Sequence, residues 1–177
     1  DVDNAIAYAA RNVDKYDWLF VDSLSEIAEV ILRKNLEEAK DPRQAYGATQ
    51  DAVLDKVRRM RDMPGINVAI ICQQADGRLS MPGQKLGPKI PYMFDEIFCV
   101  VSKGEGDDTQ YFVQTEGDAK FLAGDRSGKL RRLEPMHLGG IAAKIRGEDA
   151  AEAKKKIDEK LAAQANKPAE QAKKESK

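Results

Sequence analysis

Two short runs of bulky apolar residues stand out in the hydropathy pattern, and each of them ends on polar side chains. The first run is Trp18 to Val21, followed by Asp22-Ser23, and the second is Val68 to Cys72, followed by Gln73-Gln74. Apolar residues that succeed one another without alternation are typical of a strand buried on both faces, as in a parallel sheet. We therefore predict two buried parallel strands.

The segments before and between these strands have the spacing of amphipathic helices. Ala5 to Val13 has the pattern of a helix end, and Ser23 or Ser25 is placed to cap the helix that follows the first strand. A further helix is predicted between Asp41-Pro42 and Pro64-Gly65. The apolar positions of these two later helices are Ile27, Ile31, Leu32, Ala48, Val53, Leu54, Val57 and Met60.

The pattern changes after the second strand. Phe94 to Val101 is another apolar strand, and the polar stretch from Gly104 to Thr109 predicts a hairpin turn into Tyr111 to Thr115. Alternating strands and helices followed by a hairpin indicate an α/β fold. We expect a mostly parallel sheet with helices on both faces and an antiparallel hairpin at one edge.

Composition restricts the class of protein. The 177 residues are 42% hydrophobic with a formal net charge of −1, and the mean hydropathy is −0.57. There is no apolar run long enough to span a membrane, and the first residues lack the pattern of a secretory signal, so we expect a cytoplasmic protein with no membrane partner. Cys72 and Cys99 lie inside apolar runs and are predicted to be reduced core thiols. A single histidine excludes histidine-based triads and multi-histidine metal sites.

Residues 147–177 differ in composition from the rest of the chain. Ala, Lys, Glu and Gln dominate there, and Ile157 and Leu161 are the only large apolar residues. We predict a solvated helix over Glu148 to Ala165 and a disordered end from Asn166 to Lys177. This tail either keeps the protein soluble or docks on a partner or a nucleic acid.

The polar ends of the two predicted parallel strands are the first candidates for chemistry. Ligands of open α/β sheets gather at the carboxyl ends of the strands, where Asp22 and Gln74 are both expected. A carboxylate at a strand end suits the water shell of Mg²⁺, and a neighbouring amide is able to sense a phosphate. The alternative is that Asp22 only caps the next helix.

The order of several segments resembles RecA-like P-loop ATPases. Leu19-Phe20-Val21-Asp22-Ser23-Leu24 resembles their Walker B strand, and Ile70-Ile71-Cys72-Gln73-Gln74 resembles the next strand with its sensor amide. Together with Gln44-Ala45-Tyr46-Gly47 and Asp125-Arg126-Ser127-Gly128-Lys129-Leu130, these segments resemble phage AAA-type ATPases of the Sak single-strand-annealing kind. The resemblance covers Ala5 to Arg146 and implies a partial RecA-like ATPase core over residues 1–146, followed by the tail.

The resemblance implies roles for particular residues in a site for ATP and Mg²⁺. Asp22 would coordinate Mg²⁺ through water with Ser23 beside it, and Gln73 and Gln74 would sense the γ-phosphate. Arg126 would reach the nucleotide of a neighbouring subunit in a ring or filament; the alternative is a surface arginine paired with Asp125 or Glu134.

The same resemblance implies a contact with single-stranded DNA. The loop from Ala75 to Pro91 occupies the position of a DNA-contacting segment in these ATPases. Basic side chains would meet phosphates and an aromatic ring would stack on a base; an ordinary solvent loop is the alternative. The residues concerned are Arg78, Lys85, Lys89 and Tyr92.

The phosphate loop of such ATPases is missing from the chain. No G-x-x-x-x-G-K-[ST] motif occurs in the 177 residues. We expect an N-terminally truncated, DNA-dependent ATPase of phage recombination or replication, located in the bacterial host cytoplasm and inactive in this form. A non-catalytic RecA-like module for DNA binding or subunit interaction and a helicase-like P-loop ATPase are the alternatives.

Overall fold

The computed structural model of the protein describes residues 2–148, so the predicted tail lies almost entirely outside the described residues. The chain divides into two compact units. Unit 1 comprises Asp1–Ile97 and Glu116–Gly124, and unit 2 comprises Phe98–Thr115 and Asp125–Lys177. The two units are described separately below.

Unit 1 contains the predicted alternation of strands and helices. Its core consists of side chains from α1, α2, α3 and the segment around α4, packed against strands β1 and β2. The elements in chain order are α1 (Val2–Ala10), β1 (Trp18–Asp22), α2 (Leu24–Glu38), α3 (Pro42–Arg61), β2 (Asn67–Ile71), β3 (Gln74–Ala75), β4 (Arg78–Leu79), α4 (Leu86–Lys89), a 3₁₀ turn (Pro91–Met93) and β5 (Glu96–Ile97).

The two long helices form where the apolar spacing predicts them. Ser23 caps α2, and Asp41 caps α3 by accepting the N–H of Arg43 at 2.9 Å, with Pro42 in the first turn. Capping of the unpaired N–H groups and the fixed φ of proline both favour a helix start at this point. Val53 and Val57 are fully buried one turn apart on α3, as the periodicity predicts.

Strands β1 and β2 pair in parallel, with Trp18 opposite Asn67 and Asp22 opposite Ile71. Leu19 and Val21 pack against the helical core. On the opposite face, Phe20 is 54% exposed and Ile71 is 47% exposed. The sheet therefore differs from the predicted, mostly parallel sheet with helices on both faces. Among the described residues parallel pairing is limited to β1 and β2, and one face of this pair is open instead of covered by helices.

Unit 2 is built on an antiparallel sheet. Its strands lie in the order β6 (Cys99–Lys103), β7 (Gln110–Gln114) and β9 (Leu133–Pro135), so the predicted hairpin between β6 and β7 is confirmed. His137 caps the following helix by accepting the N–H of Gly140 at 2.9 Å, and Gly147 ends that helix in the left-handed region. The elements are β6 (Cys99–Lys103), a 3₁₀ turn (Gly106–Asp108), β7 (Gln110–Gln114), β9 (Leu133–Pro135) and α5 (Leu138–Arg146), while β8 (Gly124–Asp125) lies at the boundary of the units.

None of the helices within residues 2–148 combines the length and apolarity that crossing a membrane requires. The longest helix, α3, carries charged side chains in its first turn and again from Asp51 onward, including Arg58, Arg59 and Arg61 in its last turn.

Candidate functional site

Asp22 stands at the carboxyl end of β1, next to the end of the parallel strand β2. It is opposite Ile71 in register, and its side chain is exposed. Neighbouring strands lie about 4.8 Å apart, so the backbone that follows Ile71 leaves the sheet next to the backbone of Asp22. This edge brings the backbone of Asp22 close to the backbone that leads to Gln73.

Ser23 is tied to the start of α2. The peptide bond between Asp22 and Ser23 is cis, and Ser23 Oγ accepts the N–H of Glu26 at 3.3 Å. An N-cap hydroxyl satisfies one of the free N–H groups of the first helical turn. Ser23 therefore anchors the helix that begins directly after Asp22, and its hydroxyl already has a hydrogen-bonding role in the described residues.

Ser25 connects the three segments that meet at this edge. Its buried Oγ accepts the N–H of Gln73 at 3.0 Å and donates to the carbonyl of Ser80 at 3.0 Å. The carbonyl of Gln73 in turn accepts the N–H of Ser80 at 2.8 Å. The start of α2, the exit of β2 and the return of the β3–β4 hairpin are thus held together by one hydroxyl and one backbone pair.

The two glutamines that follow β2 have different environments. The side chain of Gln73 is exposed. The amide of Gln74 instead binds backbone at both ends: Nε2 donates to the carbonyl of Lys120 at 3.3 Å, and Oε1 accepts the N–H of Leu122 at 2.9 Å. Gln74 therefore fastens the segment 120–122 within unit 1, and Gln73 is the amide presented to solvent.

Cys72 lies just before these glutamines and packs against the core of unit 1. Burial raises the pKa of the Cys72 thiol to about 11, because desolvation disfavours the thiolate. Cys72 and Cys99 are both reduced thiols, as predicted. Since the thiolate is the nucleophile and the metal ligand, Cys72 serves as a core residue here.

The Asp22 carboxylate is exposed at this edge. Within residues 2–148, no group of three or more His, Cys, Asp or Glu side chains could hold a metal ion. Mg²⁺ keeps several of its waters and is bound through one or two carboxylates plus the phosphates of a substrate. An exposed carboxylate such as that of Asp22 is one of the ligands that Mg²⁺ accepts, together with water and phosphate oxygens.

The loop after Gln74 is built around a tight hairpin and two buried anchors. Strands β3 and β4 are joined through Asp76 (φ 50°) and Gly77 (φ 70°), a turn with both central residues in the left-handed region. Further on, Leu86 and Ile90 are 1% and 2% exposed and hold the loop on the core. The cationic side chains predicted to contact DNA, Arg78, Lys85 and Lys89, are all exposed, and Tyr92 is 84% exposed.

Arg126 belongs to unit 2, where it is exposed on a loop organised by Asp125. The Asp125 carboxylate accepts hydrogen bonds from Ser127 Oγ at 2.5 Å and from the N–H groups of Gly128 and Leu130 at 3.0 and 2.9 Å. An aspartate that binds the backbone two or three residues ahead is a recurrent way to fold a loop. The loop holds Arg126 at a defined position in its own unit.

The sequence did not predict the roles of two residues that are important for this geometry. Ser25 was considered only as a helix cap, because its contacts with Gln73 and Ser80 are distant in sequence. The sequence predicts Asp125 as part of the resembling segment and as a partner of Arg126 and not as the centre of a loop, although the Asp-x-Ser-Gly pattern carries a recognisable turn signal.

Comparison of the chain with protein-family models, with curated proteins and with solved structures gives no match. The functional assignment consequently depends on the chemistry at the β1–β2 edge and on the order of the segments that resemble RecA-like ATPases.

Proposed function

We propose that this chain carries the magnesium-binding and phosphate-sensing part of the ATP site of a RecA-like, DNA-dependent ATPase of the single-strand-annealing or recombinase type. The observation that carries the proposal is the position of Asp22, an exposed carboxylate at the carboxyl end of β1, in register with the end of the parallel strand β2. Ligands of α/β sheets bind at such strand ends. The segment order described above supports the choice of ATP.

The roles at the proposed site follow from the environment of each side chain. Mg²⁺, when bound, supplies positive charge that neutralises the phosphates during phosphoryl transfer. The Asp22 carboxylate would hold that ion through its water shell. The exposed amide of Gln73 is free to donate to a phosphate oxygen, and Gln74 relays the state of this edge to the segment 120–122 that its side chain holds.

The 177 residues contain no G-x-x-x-x-G-K-[ST] motif, so in this proposal the phosphate loop is supplied by other polypeptide. The open face of the β1–β2 pair supports this part of the proposal. Trp18 and Phe20 stack there with ring centroids 5.7 Å apart, and Phe20 and Ile71 are about half exposed. Parallel strands are normally covered on both faces, so this face has room for additional polypeptide.

The DNA-binding part of the proposal lies in the loop after β4. Buried Leu86 and Ile90 anchor the loop and leave Lys85 and Lys89 exposed on either side of Leu86. Cationic side chains that follow a backbone and an aromatic ring that stacks on a base are the usual elements of single-strand binding. Tyr92 supplies the ring, and Arg126 is assigned to a nucleotide in a neighbouring subunit of a homo-oligomer.

The test starts from the coding DNA immediately upstream of the codon for Asp1. We expect an in-frame extension that contains a strand followed by G-x-x-x-x-G-K-[ST]. In the extended protein, Asp22→Ala should lower DNA-stimulated ATP hydrolysis by at least about a hundredfold, because several kcal/mol of charge stabilisation depend on the bound ion. Asp51→Ala removes an exposed carboxylate from α3 and serves as the matched control.

Two results would contradict the ATPase assignment. One is a start codon or a stop codon directly before Asp1, and the other is an extended protein whose turnover is the same in Asp22→Ala and in Asp51→Ala. The missing phosphate loop would then favour the second candidate function, a non-catalytic RecA-like module for DNA binding or subunit interaction. Nucleotide-driven hexamers without annealing activity would instead favour a helicase-like ATPase.

A further inference from the structure

Helix α5 of unit 2 begins at His137, the single histidine of the chain. Its Nδ1 accepts the N–H of Gly140 at 2.9 Å, and its carbonyl accepts the N–H of Ile141 at 3.1 Å. The imidazole is exposed. A side-chain acceptor at this position satisfies an N–H group that has no partner inside the helix, so the ring holds the first turn of α5.

The first turn of α5 has little tendency to be helical by itself. Gly139 and Gly140 are its second and third residues, and glycine is a poor helix former because it loses the most backbone freedom on folding. The buried side chains of the helix follow later, at Ile141 and Ala143. The hydrogen bond to the imidazole therefore fixes a turn that its own residues do not favour.

The cap requires an uncharged imidazole. Nδ1 accepts a hydrogen bond only when it carries no proton, so the proton of the neutral ring lies on Nε2. The protonated ring has an N–H at both nitrogens and offers no acceptor. Its positive charge would also lie at the positive end of the helix dipole. Protonation of His137 therefore removes the partner of the Gly140 N–H and adds an unfavourable charge at the same place.

The charged side chains on α5, and those that contact this helix, interact with groups other than the imidazole. On β9, Glu134 accepts a hydrogen bond from Lys144 of the helix. The others are Arg131, which lies close to Glu134, and Lys129, Arg146 and Glu148 at the carboxyl end of the helix. Within residues 2–148, none of these side chains forms a hydrogen bond or an ion pair with His137, so no carboxylate there balances a charge on the ring.

We propose that His137 makes the start of α5 sensitive to pH, so that the first turn of the helix opens when the ring takes up a proton. Histidine side chains change their charge between about pH 5 and 8. Because the cap needs the neutral ring, it stabilises α5 at neutral and higher pH, and this contribution is lost as the pH falls toward 5. The inference goes beyond the proposed function, since it involves neither the ATP site nor the DNA contact.

The pH range separates this effect from the other ionisable contact of α5. Hydrogen bonds from Lys144 and from the Arg131 backbone hold the pKa of Glu134 below its ordinary value, which is about 4.3. Glu134 therefore stays ionised above about pH 5, and its contact with Lys144 persists while histidine titrates.

The experiment follows α5 in the full chain by NMR between about pH 7.5 and pH 5, the range in which histidine titrates. The chemical shift of the Gly140 amide proton reports directly on the hydrogen bond to the imidazole. Hydrogen exchange at the Ile141 amide, corrected for the intrinsic rate, reports on opening of the first turn. Its protection should fall about fivefold over this range, which is the effect of losing a typical helix cap. Amides of β7 should change less, because they lie outside the helix.

Two substitutions at the same position supply the controls, and each removes the single histidine. His137→Asn retains a capping side chain that does not titrate, so the Gly140 shift and the Ile141 exchange should become independent of pH. His137→Ala removes the cap at every pH. In that variant Ile141 should already be about fivefold less protected at neutral pH, with no further loss on acidification.

Three results would overturn the proposal. The first is a wild-type chain whose Gly140 shift and Ile141 protection stay constant over this range. The second is an equal change in the wild type and in His137→Asn, because another group would then be responsible. The third is a change that disappears in Glu134→Gln, which would assign it to the contact between Glu134 and Lys144.

Discussion

Ser25 Oγ accepts the backbone N–H of Gln73 at 3.0 Å, although the two residues are 48 positions apart in sequence. The same hydroxyl donates to the carbonyl of Ser80 at 3.0 Å. One buried side chain therefore links the helix that follows Asp22 with the backbone that carries the exposed amide of Gln73. If the edge of β1 and β2 binds a nucleotide, this link keeps the segments that carry the Asp22 carboxylate and the Gln73 amide in a fixed relative position.

We predict that Ser25→Ala lowers the free energy of unfolding of unit 1 by about 1–3 kcal/mol. The N–H of Gln73 and the carbonyl of Ser80 would each lose a buried partner. Urea denaturation followed by the fluorescence of Trp18, the single tryptophan, measures this because Trp18 lies on β1. Ser102→Ala, at an exposed position of β6, is the control and should change stability by less than about 0.5 kcal/mol.

Substitutions at Gln73 and Gln74 should have different effects, the first on activity and the second on stability. Gln74→Ala removes two hydrogen bonds to the segment 120–122 and should cost about 1–2 kcal/mol of stability, with faster hydrogen exchange at the Leu122 amide. Gln73→Ala removes an exposed side chain and should leave stability unchanged while lowering ATP turnover of the extended protein. Hydrogen exchange and an ATPase assay on both variants check this. A stable Gln74→Ala variant with normal exchange at Leu122 would refute the fastening role.

Alanine substitutions at two glycines should change the stability of unit 1 in opposite directions. A Cβ on Gly77 would lie 3.3 Å from the carbonyl oxygen of Ala119, and φ there is +70°, so Gly77→Ala should destabilise unit 1 by about 1–2 kcal/mol. Gly47 lies inside α3 with nothing within 4 Å of its Cβ position, so Gly47→Ala should stabilise by about 0.5–1 kcal/mol. Thermal or urea unfolding of both variants measures the difference. If both variants changed the stability equally, the backbone turn at Gly77 would accommodate a side chain without loss of stability.

The strand ends and long helices were predictable because their signals are local. A run of apolar residues that ends on Asp22 or Gln73 marks the end of a strand, and Ser23 or Asp41 before a periodic stretch marks the start of a helix. The same local pattern does not predict which faces of the sheet are covered by other elements. The run from Trp18 to Val21 predicts two buried faces, whereas the described residues cover only the face of Leu19 and Val21.

The different roles of neighbouring polar residues were also not predictable. These roles depend on segments that are distant in sequence. Ser23 and Ser25 are both hydroxyl residues at a helix start, and only the position of Ser80 in space gives Ser25 its second role. Gln73 and Gln74 differ by one position, which in extended chain reverses the direction of the side chain. Which of them is exposed depends on where the segment 120–122 runs, and no local pattern contains that information.

Glu134 should make the stability of unit 2 depend on pH. Burial by itself raises the pKa of this carboxyl, but the hydrogen bonds from Lys144 Nζ and from the N–H of Arg131 outweigh it and hold the pKa below its ordinary value. A lowered pKa in the folded state means that the carboxylate stabilises the protein above the ordinary glutamate pKa of about 4.3. This contribution is lost as the pH falls from there through the lower pKa of the folded state.

We therefore predict that Glu134→Gln destabilises unit 2 by about 2 kcal/mol at neutral pH, because a charged hydrogen bond is lost from a side chain that is 2% exposed. The difference between the variant and the wild type should shrink as the pH falls below about 4.3, where the wild-type carboxyl also becomes protonated. Hydrogen exchange at the amides of β7 and α5, measured from neutral pH to about pH 3 with correction for the intrinsic rate, reports on this unit. Glu105→Gln changes an exposed carboxylate in the same unit and should show no such convergence. A difference that stays constant over this range would mean that the Lys144 contact adds nothing to the ionised form.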